Sequence, residues 1–222
     1  MSITDTTIAD RVTVLQEQSA AHLPPPVFAT FGAQVAGLAA AGVPDGVAVA
    51  GSAMPDGDLL DAHGERTTLE AARAGKSAVI VFYRGDWCPY CNLTLRAYQE
   101  KLVGELEARG VVLIAVSPQK PDGALSVTEK DELTFAVLSD PGNQLGGQLG
   151  ILMAPDDDVR AAQLQLGLTV ADTNADGTDT LPMPTVVIVD AAGTIRWIDV
   201  HPDFTTRTEP GEILAAIDAS TD

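Results

Sequence analysis

The only two cysteines of the chain, Cys88 and Cys91, stand in the run Cys88-Pro89-Tyr90-Cys91. An apolar stretch from Ser77 to Tyr83 precedes them and reads as a buried strand. Helical spacing at Leu93, Ala97, Leu102 and Leu106 follows. The pair therefore opens a helix, where unpaired N–H groups and about half a positive charge favour thiolate over thiol. Pro89 suits the first helical position, where a missing N–H costs nothing. Spacing of i, i+3 puts both sulfurs on one helix face, within disulfide reach. A cysteine near pKa 8.5 is only a few per cent thiolate at pH 7, whereas one near 6 is about 90% thiolate. Cys88, at the helix start, is expected to be the nucleophile. Cys91, one turn inside, is expected to be more buried and to act as the resolving thiol. Arg84 adds positive charge nearby and Asp86 opposes it. Closing a loop of about four residues stabilises by only about 2 kcal/mol, so a static staple explains the pair poorly. Zinc needs about four ligands. No second cysteine pair exists, and His22, His63 and His201 have no ligand spacing, so no metal and no cofactor is expected.

The elements that must position this pair alternate. Ile8, Val12, Leu15 and Ala20 predict a helix over 7–21, which Pro24-Pro25-Pro26 ends. Phe28, Phe31, Val35 and Leu38 predict a second, running to Gly42. Residues 43–58 read as a linker, so residues 1–48 form a helical extension and 49–222 the main domain. Within that domain a small hairpin is expected at 59–68, a short helix capped by Thr68 at 69–74, and strands at 77–83, 111–116 and 135–138. Long helices are expected over 89–109 and 122–133, with a short one at 144–149. Residues 154–180 are polar and unplaced, and Asp156-Asp157-Asp158 reads as a solvated turn. Strands at 184–190 and 194–200 are joined by a turn at Ala191-Ala192-Gly193, and a helix over 209–219 closes the chain. Met183-Pro184-Thr185 lies at the mouth of the fourth strand, where proline is allowed and where a cis bond would reshape the backbone. This order predicts an α/β fold with a mixed central sheet and helices on both faces.

Composition bounds the partners. Thirteen basic against 31 acidic residues give a net charge of −18 over 222 residues. A phosphate backbone or an anionic lipid surface would be repelled. The start, Met1-Ser2-Ile3-Thr4-Asp5, lacks a basic and then apolar leader, and no apolar run approaches the roughly 20 residues needed to span a bilayer. A cytoplasmic protein with no nucleic-acid or membrane partner is expected. The apolar face of the extension needs a partner, either the main domain or a second subunit in a homodimer.

Together these residues resemble the thioredoxin superfold. Phe82-Tyr83-Arg84-Gly85-Asp86-Trp87-Cys88-Pro89-Tyr90-Cys91-Asn92-Leu93 is similar to the peroxiredoxin-like branch of the alkyl hydroperoxide reductase/thiol-specific antioxidant family. The similarity extends through Ala115 to Gln119, Leu138 to Gly142, Pro202-Asp203-Phe204 and Glu212-Ile213-Leu214. A helical extension before residue 48 also appears in that branch. The resemblance implies a thioredoxin-like fold and reduction of hydrogen peroxide or organic hydroperoxides. Cys88 would become a sulfenic acid, Cys91 would condense with it, and thioredoxin or another thiol reductant would reset the disulfide. It also implies a cis Pro184 packed against the pair, with Arg84, Trp87, Pro89, Tyr90 and Thr185 supporting the site. Two positions depart from the family. A Thr or Ser is usual three residues before the attacking cysteine, where Gly85 stands, and an Arg is usual near Pro184. Backbone N–H groups, Arg84 or Arg207 would then have to stabilise the transferring oxygen. The Cys-Pro-Tyr-Cys run with Pro184 also resembles glutaredoxins, so a disulfide substrate is the alternative, and a redox-sensing module without turnover is a third reading.

Two further patterns are set aside. Asp172 to Gly177 opens like a calcium loop, but Met183 stands where a bidentate Glu is required. Gly75-Lys76-Ser77 lacks the leading glycine of a phosphate loop and is followed by a strand.

Overall fold

The computed structural model describes residues 6–122, 128 and 132–220. Two helices lead, α1 (Ile8–His22) and α2 (Pro25–Ala41). Thr7 starts α1 with a capping box: its hydroxyl accepts from the Asp10 N–H and the Asp10 carboxylate accepts from its own N–H. The prolines that stop α1 also start α2, since Pro25 occupies a first-turn position; Gly42, at φ +70°, ends it.

A hairpin of β1 (Leu59–Leu60) and β2 (Arg66–Thr67) comes next, then α3 (Leu69–Arg73), capped by the Thr68 hydroxyl. The alternating section comprises β3 (Ala78–Phe82), α4 (Pro89–Lys101), α5 (Val103–Ala108), β4 (Val112–Ser117), β5 (Ala136–Ser139) and α6 (Gln144–Leu149). The single helix expected over 89–109 is two helices that meet at Leu102, which stays right-handed at φ −112° and ψ −38°. The helix expected over 122–133 falls largely outside the described residues. Next come β6 (Leu152–Met153), α7 (Asp157–Gln165), α8 (Val170–Thr173) and β7 (Leu181–Pro182). Asp156 to Asp158 are thus a helix start and not a plain turn: Asp156 accepts from the Val159 N–H, and the next two carboxylates face the positive end of the helix. Strands β8 (Thr185–Val189) and β9 (Ile195–Val200) and helix α9 (Pro210–Ser220) complete the chain.

Seven strands form one mixed sheet in the order β2-β1-β5-β4-β3-β8-β9. Central β3 runs parallel to β4 and antiparallel to β8, with Ile80 opposite both Ile114 and Val187. Every residue of β3 and β8 is buried, as their unbroken apolar runs require. Side chains alternate between two cores. Val79, Val81, Tyr83, Ala115 and Val186 pack beneath α1, α4, α5 and α9, while Ala78, Ile80, Phe82, Val116 and Val187 pack against α3 and α6. The α/β fold with helices on both faces and leading N-terminal helices is the one expected. Cys88 and Cys91 belong to the first core.

Candidate active site

Strand β3 delivers the chain to Arg84, and a tight turn closed by Cys88 N–H to the Gly85 carbonyl (3.2 Å) feeds it into α4. Gly85 sits at φ +152°, where side chains rarely go, and a Cβ there would lie 2.5 Å from Trp87 Nε1. The residue standing where Thr or Ser was expected is therefore glycine for reasons of backbone shape. Gln119, just past β4, braces this turn: its Oε1 accepts from the Asp86 N–H at 2.7 Å and its Nε2 donates to the Tyr83 hydroxyl at 3.3 Å. Asn92 Nδ2 donates to the Asp86 carbonyl at 2.7 Å from inside α4.

Cys88 is the N-cap of α4 and Pro89 its first residue; Cys91 donates its N–H to the Cys88 carbonyl at 3.0 Å. Both cysteines are free, and each is only 1% exposed, so the expected difference in burial is absent. Their surroundings differ instead. Arg207 Nη2 donates to Cys91 Sγ at 3.4 Å. Burial alone would push the Cys91 thiol up. The hydrogen bond from Cys88, the Arg207 charge, a backbone hydrogen bond from Arg84 and the Arg84 charge outweigh burial and hold it at about 5. Burial, the hydrogen bond given to Cys91 and the Cys91 charge push Cys88 well up, against weaker help from Arg84 and Arg207. The two thiols titrate as a pair, and the Arg207 cation at Cys91 Sγ favours the charge there.

Both arginines are committed to this spot. Arg84 is 5% exposed, with its guanidinium carbon 4.1 Å from the Phe204 ring centre and 4.9 Å from that of Trp87. Its buried Nε has no hydrogen-bond partner. Arg207 donates to the Phe204 and Thr206 carbonyls of its own loop. Among the described residues no carboxylate pairs with either arginine. A buried and a half-buried cation, neither paired with a carboxylate among the described residues, fit a site that carries a thiolate.

The other expected residues gather here. Trp87 packs on Arg84, and Tyr90 meets Phe204 at 6.4 Å between ring centres. Pro184, Thr185, His201, Arg207 and Cys91 line one small space of about 10 Å³, enough for a single water-sized molecule; Cys88 does not line it. The Thr185 hydroxyl donates to the Met183 carbonyl at 2.9 Å. The bond before Pro184 is trans, as are all peptide bonds of the described residues, which corrects the cis geometry that the superfold resemblance implied. The Pro184 carbonyl accepts from the His201 N–H at 2.9 Å, so the extended pairing of β8 with β9 continues through it. Sequence reasoning passed over Gln119, Tyr98, Asp199 and His201. Ligand spacing alone does not single out the histidine; the signal that would find it is its place at the end of β9, two strands from β3 across β8. Among the described residues no cluster of His, Cys, Asp and Glu could hold a metal ion, and no helix is long and apolar enough to cross a membrane.

Comparison with known proteins agrees with this geometry. Residues 50–198 match the model of the AhpC/TSA family. A putative peroxiredoxin bcp of Haemophilus influenzae is 32% identical over 101 residues, which is 46% of this chain and 64% of that protein. Peroxiredoxin Bcp of Escherichia coli is 29% identical over 102 residues, again 46% and 64%. The match thus spans less than two thirds of these curated relatives. Among solved structures, peroxidoxin BcpB from Mycobacterium tuberculosis superposes with a TM-score of 0.58 at 17% identity, covering 77% of this chain and 96% of that one. Thiol peroxidase from Chromobacterium violaceum gives 0.62 at 15% identity, covering 81% and 91%. These likenesses show the fold, and with the family match over most of the chain they establish that it belongs to the AhpC/TSA family.

Proposed function

We propose that the protein is a thiol-dependent peroxidase that reduces hydrogen peroxide or organic hydroperoxides, with Cys91 attacking and Cys88 resolving. The observation that carries this reading is the contact of Arg207 Nη2 with Cys91 Sγ at 3.4 Å. It reverses the order expected from the sequence, which gave attack to Cys88 as the residue nearer the helix start. The reversal also supplies what Gly85 lacks. Counting three residues back from Cys91 reaches Cys88, whose S–H donates to the Cys91 sulfur. Arg207, arriving from the loop after β9, supplies the cation that Pro184 cannot.

In the cycle, the Cys91 thiolate attacks one peroxide oxygen and the O–O bond breaks. Cys91 becomes a sulfenic acid, and the leaving alkoxide or hydroxide takes a proton to become alcohol or water. The Cys88 thiol then displaces water from the sulfenic acid and forms the Cys88–Cys91 disulfide. Two thiols of thioredoxin or a similar dithiol return the electrons by exchange. Arg84 and Arg207 offset the negative charge on sulfur and on the departing oxygen. A cytoplasmic setting, which keeps both thiols reduced between turnovers, is part of the proposal.

Burial of both sulfurs supports a small peroxide over a protein disulfide as oxidant. Stopped-flow tryptophan fluorescence of the reduced protein with hydrogen peroxide tests the reading. Oxidation far faster than an equally ionised free thiol, with the disulfide found by mass spectrometry, is expected. An ordinary thiolate rate beside fast reaction with an oxidised dithiol would make the protein a disulfide exchanger.

A further inference from the structure

Among the described residues no carboxylate pairs with the cation at the reacting sulfur, so its position depends on the segment that carries it. We propose that His201, held by Asp199, is a positioning residue that sets Arg207 against Cys91. The inference rests on the peroxidase reading for its consequence in turnover, but not for its geometry.

His201 is the first residue past β9. Its Nε2 lies 2.9 Å from Asp199 Oδ2 and 3.2 Å from Thr208 Oγ1, and its Nδ1 lies 2.7 Å from Thr206 Oγ1. The Thr208 hydroxyl gives its hydrogen to Asp199 at 2.8 Å, and the Thr206 hydroxyl gives its own to the Asp203 carbonyl at 2.9 Å. Each ring nitrogen therefore has a hydroxyl partner on the segment that carries Arg207, Thr206 at Nδ1 and Thr208 at Nε2. Thr206 and Thr208 are the two neighbours of Arg207. One imidazole thus grips the chain immediately before and after the arginine, while the central sheet holds His201 by Asp199 at the ring and by the Pro184 carbonyl at its backbone N–H.

Two other anchors hold the same segment, but neither reaches both sides of Arg207. The Tyr98 hydroxyl donates to the Thr208 carbonyl at 2.8 Å, and the Glu209 carboxylate accepts from the Ile8 and Ala9 N–H groups at 3.0 and 2.9 Å. The groups facing Cys91 are Cys88 from α4, Arg84 from the turn after β3 and Arg207 from this segment, with Tyr83 and Tyr98 on the walls of the space they share. Asp199 is the charged group in contact with His201. Releasing the grip should let Arg207 swing from the sulfur without touching the cysteines.

Titration of the thiolate absorbance near 240 nm tests this on the full-length reduced protein. In His201→Phe, which keeps an aromatic ring and removes all three of its hydrogen-bond contacts, the first thiol titration should rise by about one unit, a tenfold loss of acidity. Asp199→Asn should move it the same way. Arg207→Leu should move it at least as far, and adding His201→Phe to that variant should change nothing more. A titration unmoved in folded His201→Phe, or a full extra shift in the double variant, would overturn the proposal. Should His201→Phe fail to fold, Asp199→Asn carries the same test. Because the readout is acidity, it stands even if wild-type protein oxidises no faster with peroxide than a free thiolate, the result that would remove the peroxidase reading instead.

Discussion

Acidifying the reduced protein should separate a stabilised thiolate from an ordinary one by a wide margin. Cys91 is held at about 5. About 99% of it is then ionised at pH 7 and about a quarter at pH 4.5, a fourfold fall. A thiol left near 8.5 would lose about 300-fold over the same interval and would begin from a few per cent. The rate of peroxide oxidation should follow the first course. Stability should follow as well. A pKa lowered by folding contributes stability that is complete above the unfolded value and disappears as pH falls through the folded one. At pH 7 about 3 kcal/mol of it is present, and at pH 4.5 almost none. Cys88, pushed up, loses its contribution only above its unfolded value and adds no slope in this window. The oxidised protein has neither thiol, so urea melts of both forms at pH 7 and 4.5 isolate the effect; with an isoelectric point near 4.2, titration stops short of pH 4. A rate falling tenfold per unit from pH 8 downward would refute the reasoning. So would a 240 nm step near pH 5 that survives in Cys91→Ser.

Other expectations follow from the same geometry. Cys91→Ser should abolish peroxide turnover, whereas Cys88→Ser should still oxidise once and accumulate a sulfenic acid detectable with dimedone; the opposite pattern would restore attack to Cys88. Gly85→Ala meets both a φ of +152° and a contact of 2.5 Å with Trp87 Nε1, and should cost about 1–3 kcal/mol in urea melts with a shifted tryptophan emission. Glu209→Gln weakens the carboxylate that receives the first two N–H groups of α1, and should cost about 1 kcal/mol and speed proteolysis within residues 7–22.

The sheet was legible because its strands are short apolar runs that can only be buried, and the dithiol because Pro89 marks a helix start. Residues 154–180 were not legible: α7 begins at the acidic cap Asp156 and buries only Val159, Ala162 and Gln163, and α8 is a single turn that starts at Thr169, so no apolar period stands out. Cys88 and Cys91 could be named as a pair, but their division of labour could not. Helix position alone favours Cys88, and the proposal of Cys91 rests on Arg207, 116 residues away, brought over by the turn after β9. The local sequence favours a trans proline that begins a strand at Pro184, as found; the cis expectation came from the superfold resemblance alone.

The near-complete enclosure of both sulfurs has a consequence for the order of events in a cycle. A peroxide is small enough to enter by minor fluctuations of the surrounding side chains. In the proposed cycle a reductant must bring its own sulfur, with a polypeptide behind it, into line with a disulfide whose two sulfurs belong to residues only 1% exposed. The returning electrons therefore wait for a local opening whose frequency belongs to this protein and not to its donor. With peroxide in excess, turnover should rise with donor concentration only to a ceiling, and chemically different donors should meet the same ceiling. Substitutions that loosen the 201–209 segment would raise it while slowing the oxidative half.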